Sequence, residues 1–348
     1  MRVMPLLAGA PQGGAETFFA SLVAALNRAG IDQRPVIRTN PARAEALRAA
    51  GVEPLELPFR QWLDWHTGAG LRGAVARYKP DVALAFMNRA AAWMPSGPHL
   101  KLARLGGYYD LKYYRRCDHL LCITKDIRRH VVEHGWPEER AHVMLNFAEA
   151  DAHPAQDRAA LATPENVPLL MVPSRLHKVK GLDTMLRALV QVPAAYLWLA
   201  GAGPERAALE QLARELGVAE RVRFLGWRSD KGALFRAADI VVFPSRYEPF
   251  GTVSLEAWAY GKPLVAADSD GPAGLVRPEV DALLVPRDDV EALAAALTRV
   301  IEEPGLARRL VDAGATRHRA EFTEAACARR YIALFERLLA ERQMEKTG

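Results

Sequence analysis

The stretch SRYEPFGTVSLEAWAYGKPLV, residues 245–265, places Glu248 in a loop and Glu256 on the helix that follows. It comes directly after the apolar run Asp239–Pro244 (DIVVFP), which reads as a buried strand, and Gly251–Tyr260 has helical spacing. Strand, loop and helix N-terminus thus succeed one another. Beyond the carboxyl end of a strand in a parallel sheet, a helix N-terminus offers unpaired N–H groups to an anion, and a phosphate fits there. Two carboxylates beside a phosphate repel it unless they address something else, and sugar hydroxyls are natural partners for a carboxylate acceptor. The chemistry this implies is binding of a nucleotide sugar.

At 348 residues the chain is long for one domain and comfortable for two. With 50% hydrophobic and 25% charged residues it reads as an ordinary soluble globular protein. Met1–Gly9 carries one arginine and an apolar stretch interrupted by Pro5, too short for the core of a signal peptide, and nowhere do eighteen apolar residues run together, so a cytoplasmic location is expected. Cys117, Cys122 and Cys327 fit neither a disulfide framework nor a zinc pattern and read as buried, reduced thiols. The histidines show no metal spacing. A net charge of +5 permits an anionic partner without selecting among nucleic acid, anionic membrane and nucleotide.

Alternating apolar runs and amphipathic stretches organise the chain. Val3–Leu7 reads as a strand, Pro11–Glu16 (PQGGAE) as a glycine loop and Thr17–Ala29 as a helix, and the alternation continues through Arg34–Ile37, Arg43–Ala50, Asp81–Phe86, Leu102–Leu105 and His119–Ile123. The last of these feeds a helix from Lys125 with Thr124 as its N-cap. Residues 146–167 are polar, rich in Ala and Pro, and read as a connection. A second series follows with strands at Pro168–Pro173, Tyr196–Ala200, Val222–Leu225, Ile240–Phe243, Leu264–Ala267 and Leu283–Val285, then long helices at Val290–Glu302 and Thr323–Arg342. The division expected is a domain over 1–145, a linker over 146–167, a second domain over 168–322 and a C-terminal helical segment over 323–348. Such alternation demands parallel sheets covered on both faces.

Four further clusters carry polar chemistry. In SRLHKVKG (174–181) Arg175 and Lys180 flank a strand-to-helix turn, where cations oppose the helix dipole unless an anion intervenes. LAGAGPERAAL (199–209) sets Gly201 and Gly203 after a strand, but Pro204 and Glu205 do not supply the third glycine of a dinucleotide fingerprint. Asp268 and Asp270 form an Asp-x-Asp pair, yet an oxygen-ligated metal needs more ligands than two, and no metal site is assigned. Residues 101–129 hold eight lysines or arginines against three aspartates, with Tyr108, Tyr109, Tyr113 and Tyr114 interleaved. That patch suits an anionic headgroup or a sugar face, single-stranded nucleic acid, or a tyrosine core with a solvated basic rim.

The string FPSRYEPFGTVSLEAWAYGKPLVA resembles the donor-site signature of retaining glycosyltransferases of family 4. The resemblance implies an α/β protein of GT-B fold, two Rossmann-like parallel-sheet domains facing a central cleft, with the final helix crossing back onto the first domain. It implies a retaining, metal-independent transfer from a nucleotide-diphosphate sugar, the co-substrate, with no cofactor, to a saccharide or lipid-linked acceptor in bacterial envelope glycan or lipopolysaccharide biosynthesis. By the same resemblance Glu248 holds sugar hydroxyls, Glu256 the ribose, and Arg175 with Lys180 the diphosphate, these last two acting as electrophiles for the leaving group. Gly13 and Gly14 of GGAE, Gly201, Gly203, Arg228 near the base, and Phe250, Gly251, Thr252 and Val253 are implied donor contacts. Tyr109, Asp110 and Lys112 are implied acceptor contacts, on an anionic or lipid-linked saccharide, with peripheral contact to the inner face of an anionic membrane and no nucleic acid. The chain departs from the family pattern at GPAG, where Gly274 replaces a common Glu, and no His follows Asp110. A GT-B nucleotide-sugar epimerase and a non-catalytic binding protein for sugar nucleotides or nucleic acid are the alternatives.

Overall fold

The computed structural model describes residues 1–11, 13–60 and 63–347, so Gln12 of the expected glycine loop lies outside the described residues. The chain divides into two compact units, one made of Met1–Asn146 with the segment from Glu324 onward, the other of Phe147–Thr323.

The first unit is a parallel sheet of β1 (Arg2–Leu7), β2 (Asp32–Gln33), β3 (Val36–Arg38), β4 (Leu55–Leu57), β5 (Val82–Phe86), β6 (Leu100–Leu105), β7 (His119–Cys122) and β8 (Ala141–Val143). Its order is β4-β3-β1-β5-β6-β7-β8. Of the strand expected at 34–37 only Val36 and Ile37 lie in β3, and β2 precedes it: Arg2 and Val3 of β1 pair with β2, Leu6 and Leu7 with β3. Pro35, in the gap, has no N–H to contribute to a ladder. Thr124 caps the helix Lys125–Glu133 as expected, its hydroxyl accepting from the Ile127 N–H at 3.1 Å. The C-terminal helix Glu324–Thr347 belongs to this unit, where Arg342 donates to the His99 carbonyl at 2.8 Å.

The second unit contains β9 (Leu169–Val172), β10 (Tyr196–Leu199), β11 (Val222–Phe224), β12 (Ile240–Phe243), β13 (Leu264–Ala267) and β14 (Leu283–Val285) in the parallel order β11-β10-β9-β12-β13-β14. β9, β12 and β13 are buried along their whole length, as their unbroken apolar runs require when helices cover both faces. Leu186 and Leu189 of the helix after β9 pack with Val242, Val265 and Leu297 in the core. Strand order reverses between β9 and β12, so the loops that leave their carboxyl ends diverge and open a crevice there.

Residues 147–167 are docked structure of this second unit. Arg158 fastens them, donating to the Ala237 carbonyl at 3.1 Å and to Asp239 at 2.8 Å, and the Trp198 indole N–H donates to Thr163 at 2.9 Å. The three cysteines are buried and free, their thiols pushed up by burial to about 12 for Cys117 and Cys122 and about 11 for Cys327.

At the β7–β8 edge the imidazoles of His119 and His142 meet, Nδ1 to Nε2, at 3.1 Å. Burial lowers both, His142 to about 4, so the pair is neutral at pH 7. The unfolded chain takes up protons near the ordinary histidine value. Stability from this pair is therefore complete above that value and is lost as the pH falls toward 4. Melting temperature should fall between pH 7.5 and 5, and His142→Asn should flatten the decline; equal slopes in the two proteins would contradict the assignment.

Candidate active site

Two loops meet at the crevice between β9 and β12. After β9 the chain makes a tight turn at Lys178–Lys180 and enters the helix Leu182–Val190 through Gly181, whose φ of 62° is left-handed. After β12, the N–H groups of Arg246 and Tyr247 both donate to the Val179 carbonyl, at 2.9 and 3.3 Å. The turn and the loop are thereby stitched together. Across the stitched loops the Lys180 ammonium lies 2.6 Å from the Glu248 carboxylate, with only 13% and 22% of the two side chains exposed. The Glu248 carbonyl accepts from the Gly271 N–H at 2.7 Å, which ties the loop to the segment after β13. Gly251, left-handed at φ 84°, then starts the helix Thr252–Ala259, whose first turn leaves N–H groups facing the crevice end.

Glu256, on that helix, pairs with Lys231, and its side chain is 14% exposed. Sequence reading found both glutamates and Lys180 but treated them as separate contacts. The structure corrects this: Glu248 and Glu256 each hold a lysine. Nothing in the linear sequence points to Lys231, because its partner Glu256 faces it across the fold.

Other assigned residues fall as follows. Arg175 is exposed and has no acidic partner among the described residues. Arg228 is engaged through its side chain, donating to Asp230 at 2.7 Å and to Gln156 at 2.8 Å, and the Asp230 bond raises its pKa. Phe250 is 3% exposed and packs in the core, whereas Thr252 is exposed and Val253 half-buried. A Cβ at Gly201 would stand 1.9 Å from the Ser174 carbonyl oxygen, and one at Gly203 2.2 Å from that of Leu176. These glycines are thus required by the close approach of the loop after β10 to the loop after β9.

In the first unit Gly13 caps the helix Gly14–Arg28 in an extended conformation, where a Cβ would stand 2.3 Å from a Glu16 carboxylate oxygen, while nothing crowds Gly14. The residue of GGAE that matters structurally is Glu16, which is buried and accepts from the Ala10 N–H at 2.8 Å. Asp110 and Lys112 are exposed and pair with each other at 2.6 Å. Tyr109 reaches the Met87 sulfur at 3.6 Å, Tyr108 donates to Asp126, and Tyr114 is fully buried, which leaves Tyr113 as the exposed tyrosine of the four. Asp268 accepts from the Arg287 N–H at 2.9 Å, and no group of three or more potential metal ligands exists among the described residues.

A cavity of about 690 Å³ opens at the opposite, amino edge of the second sheet, near Pro168, Ile240 and Pro263. It includes none of the motif residues and lies on the wrong side of the sheet for a switch-point ligand. A smaller one, about 240 Å³, lies beside the turn and is lined by His177, Asp183 and Arg246.

Two parallel sheets of Rossmann order in separate units, with the Lys180–Glu248 pair at the switch point of the second, are the architecture of a GT-B fold. The chain belongs to the family described as glycosyl transferases group 1, which matches residues 155–317, with glycosyltransferase family 4 matching residues 12–151. It is 38% identical to the lipopolysaccharide core biosynthesis glycosyltransferase LpsD of Rhizobium meliloti, covering 98% of this chain and 100% of that one. LpsE of the same organism, a lipopolysaccharide core biosynthesis glycosyltransferase, is 35% identical over 92% of this chain and 95% of its own. The crystal structure of Anabaena Alr3699/HepE in complex with UDP superposes with a TM-score of 0.84 at 20% identity, covering 97% of this chain and 100% of that chain.

GPAG contains one constrained glycine and one free one. A Cβ at Gly271 would lie 2.5 Å from the Phe250 carbonyl, while nothing lies within 4 Å of one at Gly274. Gly274→Glu should therefore leave the melting temperature unchanged or raise it, by up to about 1 kcal/mol of stability from helix propensity. Gly271→Ala should lower it and weaken nucleotide binding in calorimetry. The reverse ranking would show that this turn does not support the Glu248 loop.

Proposed function

We propose that the protein transfers a sugar from a nucleotide-diphosphate donor to a saccharide or lipid-linked acceptor in lipopolysaccharide core assembly, with retention of anomeric configuration and without a metal or cofactor. The observation that carries this reading is the convergence of Lys180, Glu248 and the N-terminus of Thr252–Ala259 at one switch point. The two Rhizobium relatives are lipopolysaccharide core glycosyltransferases and the Anabaena structure contains UDP, which supports a nucleotide sugar as donor.

Each group has a physical task. A diphosphate at the helix N-terminus meets unpaired N–H groups and the Lys180 ammonium. As the glycosidic bond to phosphate breaks, negative charge grows on the leaving oxygen, and a fixed cation favours the transition state over the ground state. Arg175, free of acidic partners among the described residues, adds a second positive charge. Lys180 then shares its charge between Glu248 and phosphate, and Glu248 accepts hydroxyls of the sugar. Glu256 takes the ribose hydroxyls. In front-face transfer the leaving phosphate oxygen receives the acceptor's proton, so retention needs no enzyme nucleophile. The paired Asp110 and Lys112, with Tyr109, form the acceptor side in the first unit. No helix among the described residues is long and apolar enough to cross a membrane, and a peripheral position at the cytoplasmic face suits a donor made in the cytosol.

A panel of nucleotide sugars with lipopolysaccharide core acceptors tests the proposal, with product stereochemistry read by NMR. Arg175→Ala and Lys180→Ala should each lower turnover by roughly a hundredfold or more, and Glu248→Ala should abolish it while the fold persists. Chelator should leave the rate unchanged. Inversion at the anomeric carbon, or a metal requirement, would refute the corresponding half of the reading, and near-wild-type transfer by Glu248→Ala would refute the site.

A further inference from the structure

Arg246, two residues before Glu248, lies where three loops come together. Its guanidinium donates to the Lys178 carbonyl at 2.6 Å, to Asp183 at 2.8 Å, to the Thr184 hydroxyl at 3.2 Å and to Asp288 at 2.6 Å. Nε, Nη1 and Nη2 are all used. The Thr184 hydroxyl donates to the same Asp288 oxygen at 3.0 Å, and the Arg246 N–H donates to the Val179 carbonyl at 2.9 Å. One side chain thus joins the turn and helix after β9, the loop after β12 and the loop after β14, where Asp288 adopts a left-handed φ of 62°.

Isolated surface ion pairs contribute little to stability. A planar fork with several fixed acceptors does something else: it fixes distances and angles among the segments it joins. The segments joined here carry Lys180, two residues after Lys178, and Glu248, two residues after Arg246. Neither residue lies in a strand or an α-helix, so no regular α or β hydrogen-bonding pattern sets the spacing between the two. Burial works against the Asp183 carboxylate and the Arg246 bond overcomes it, holding the carboxyl below its usual range.

We propose that Arg246 is a positioning residue that sets the separation of the Lys180 ammonium and the Glu248 carboxylate, and so of the phosphate-side and sugar-side contacts of the donor. This rests on the function proposed above. Lysine does not substitute, because a single ammonium on a flexible stem cannot reach Lys178, Asp183 and Asp288 in the directions the fork provides.

The test is a double-mutant cycle with Arg246→Lys, Arg246→Ala, Glu248→Gln and the Arg246→Lys/Glu248→Gln double variant. It is read on kcat and on the dissociation constant of the nucleotide sugar that the wild-type protein turns over, with melting temperature measured alongside. Misplacement of reacting groups by an ångström costs up to a hundredfold, so Arg246→Ala should lose about that factor in kcat and Arg246→Lys about tenfold. In the Glu248→Gln background the further loss from Arg246→Lys should shrink to under about threefold, the mark of two residues acting through one another. Wild-type kcat in Arg246→Lys, a lowered melting temperature with unchanged kcat, or the same penalty in both backgrounds would overturn the proposal while leaving the active-site reading intact. Glu248→Gln with wild-type turnover would instead remove the reading, and this proposal with it.

Discussion

Both halves of the Lys180–Glu248 pair are withdrawn from water, and the loops around them are built to keep them so. Removing a carboxylate or an ammonium from solvent costs several kcal/mol unless a partner of good geometry replaces the water. Part of the geometry comes from the backbone, where the Val179 carbonyl accepts two N–H bonds from the loop after β12 and the Glu248 carbonyl accepts one from Gly271, and the Arg246 guanidinium adds side-chain bonds across the same loops. A side-chain pair at 2.6 Å is then a consequence of where three loops are pinned. Such a pair is also a poised one. An anion that reaches Lys180 finds a cation already desolvated and oriented, so little reorganisation remains to be done when charge develops on it.

The pinning in turn depends on sheet order. With β9 and β12 adjacent and their connections running to opposite sides, the crevice exists before any ligand arrives. What narrows it is close backbone approach. Gly201 and Gly203 let the loop after β10 touch the loop after β9, and Gly271 lets the segment after β13 touch Glu248 and Phe250. The glycines of this site shape it from behind, through contacts between loops, and the motif residues project from the frame they permit.

Most of this frame was legible in the sequence, and the exceptions share a cause. β12, β13, β14 and the helix Val290–Glu302 stand where the apolar pattern put them, because buried apolar strands and a strongly amphipathic helix write their period plainly. The strand Leu55–Leu57 is three residues long, and the helix Trp65–Tyr78 carries Gly68, Gly70 and Gly73, so neither accumulates enough pattern or propensity to be seen. At the site, residues with a motif were found and residues with only a spatial partner were not. Lys231 and Arg246 matter because of what faces them across the fold, and a linear reading has no access to that. The donor-site string by itself carries the family to which the chain belongs.

The basic segment 101–129 makes the same point about charge. Counted along the chain it holds a surplus of five positive charges. In space Arg104 is buried, stacked 4.2 Å above the Phe18 ring and bonded to Asn146, while Lys112 pairs with Asp110, Arg128 with Glu138 and Arg129 with Asp126. The field that a distant anion feels is set by charges left over after such pairing, and salt screens what remains beyond about 10 Å. Arg115, Arg116 and Lys125, exposed and in no ion pair among the described residues, are the charges of this segment that retain reach.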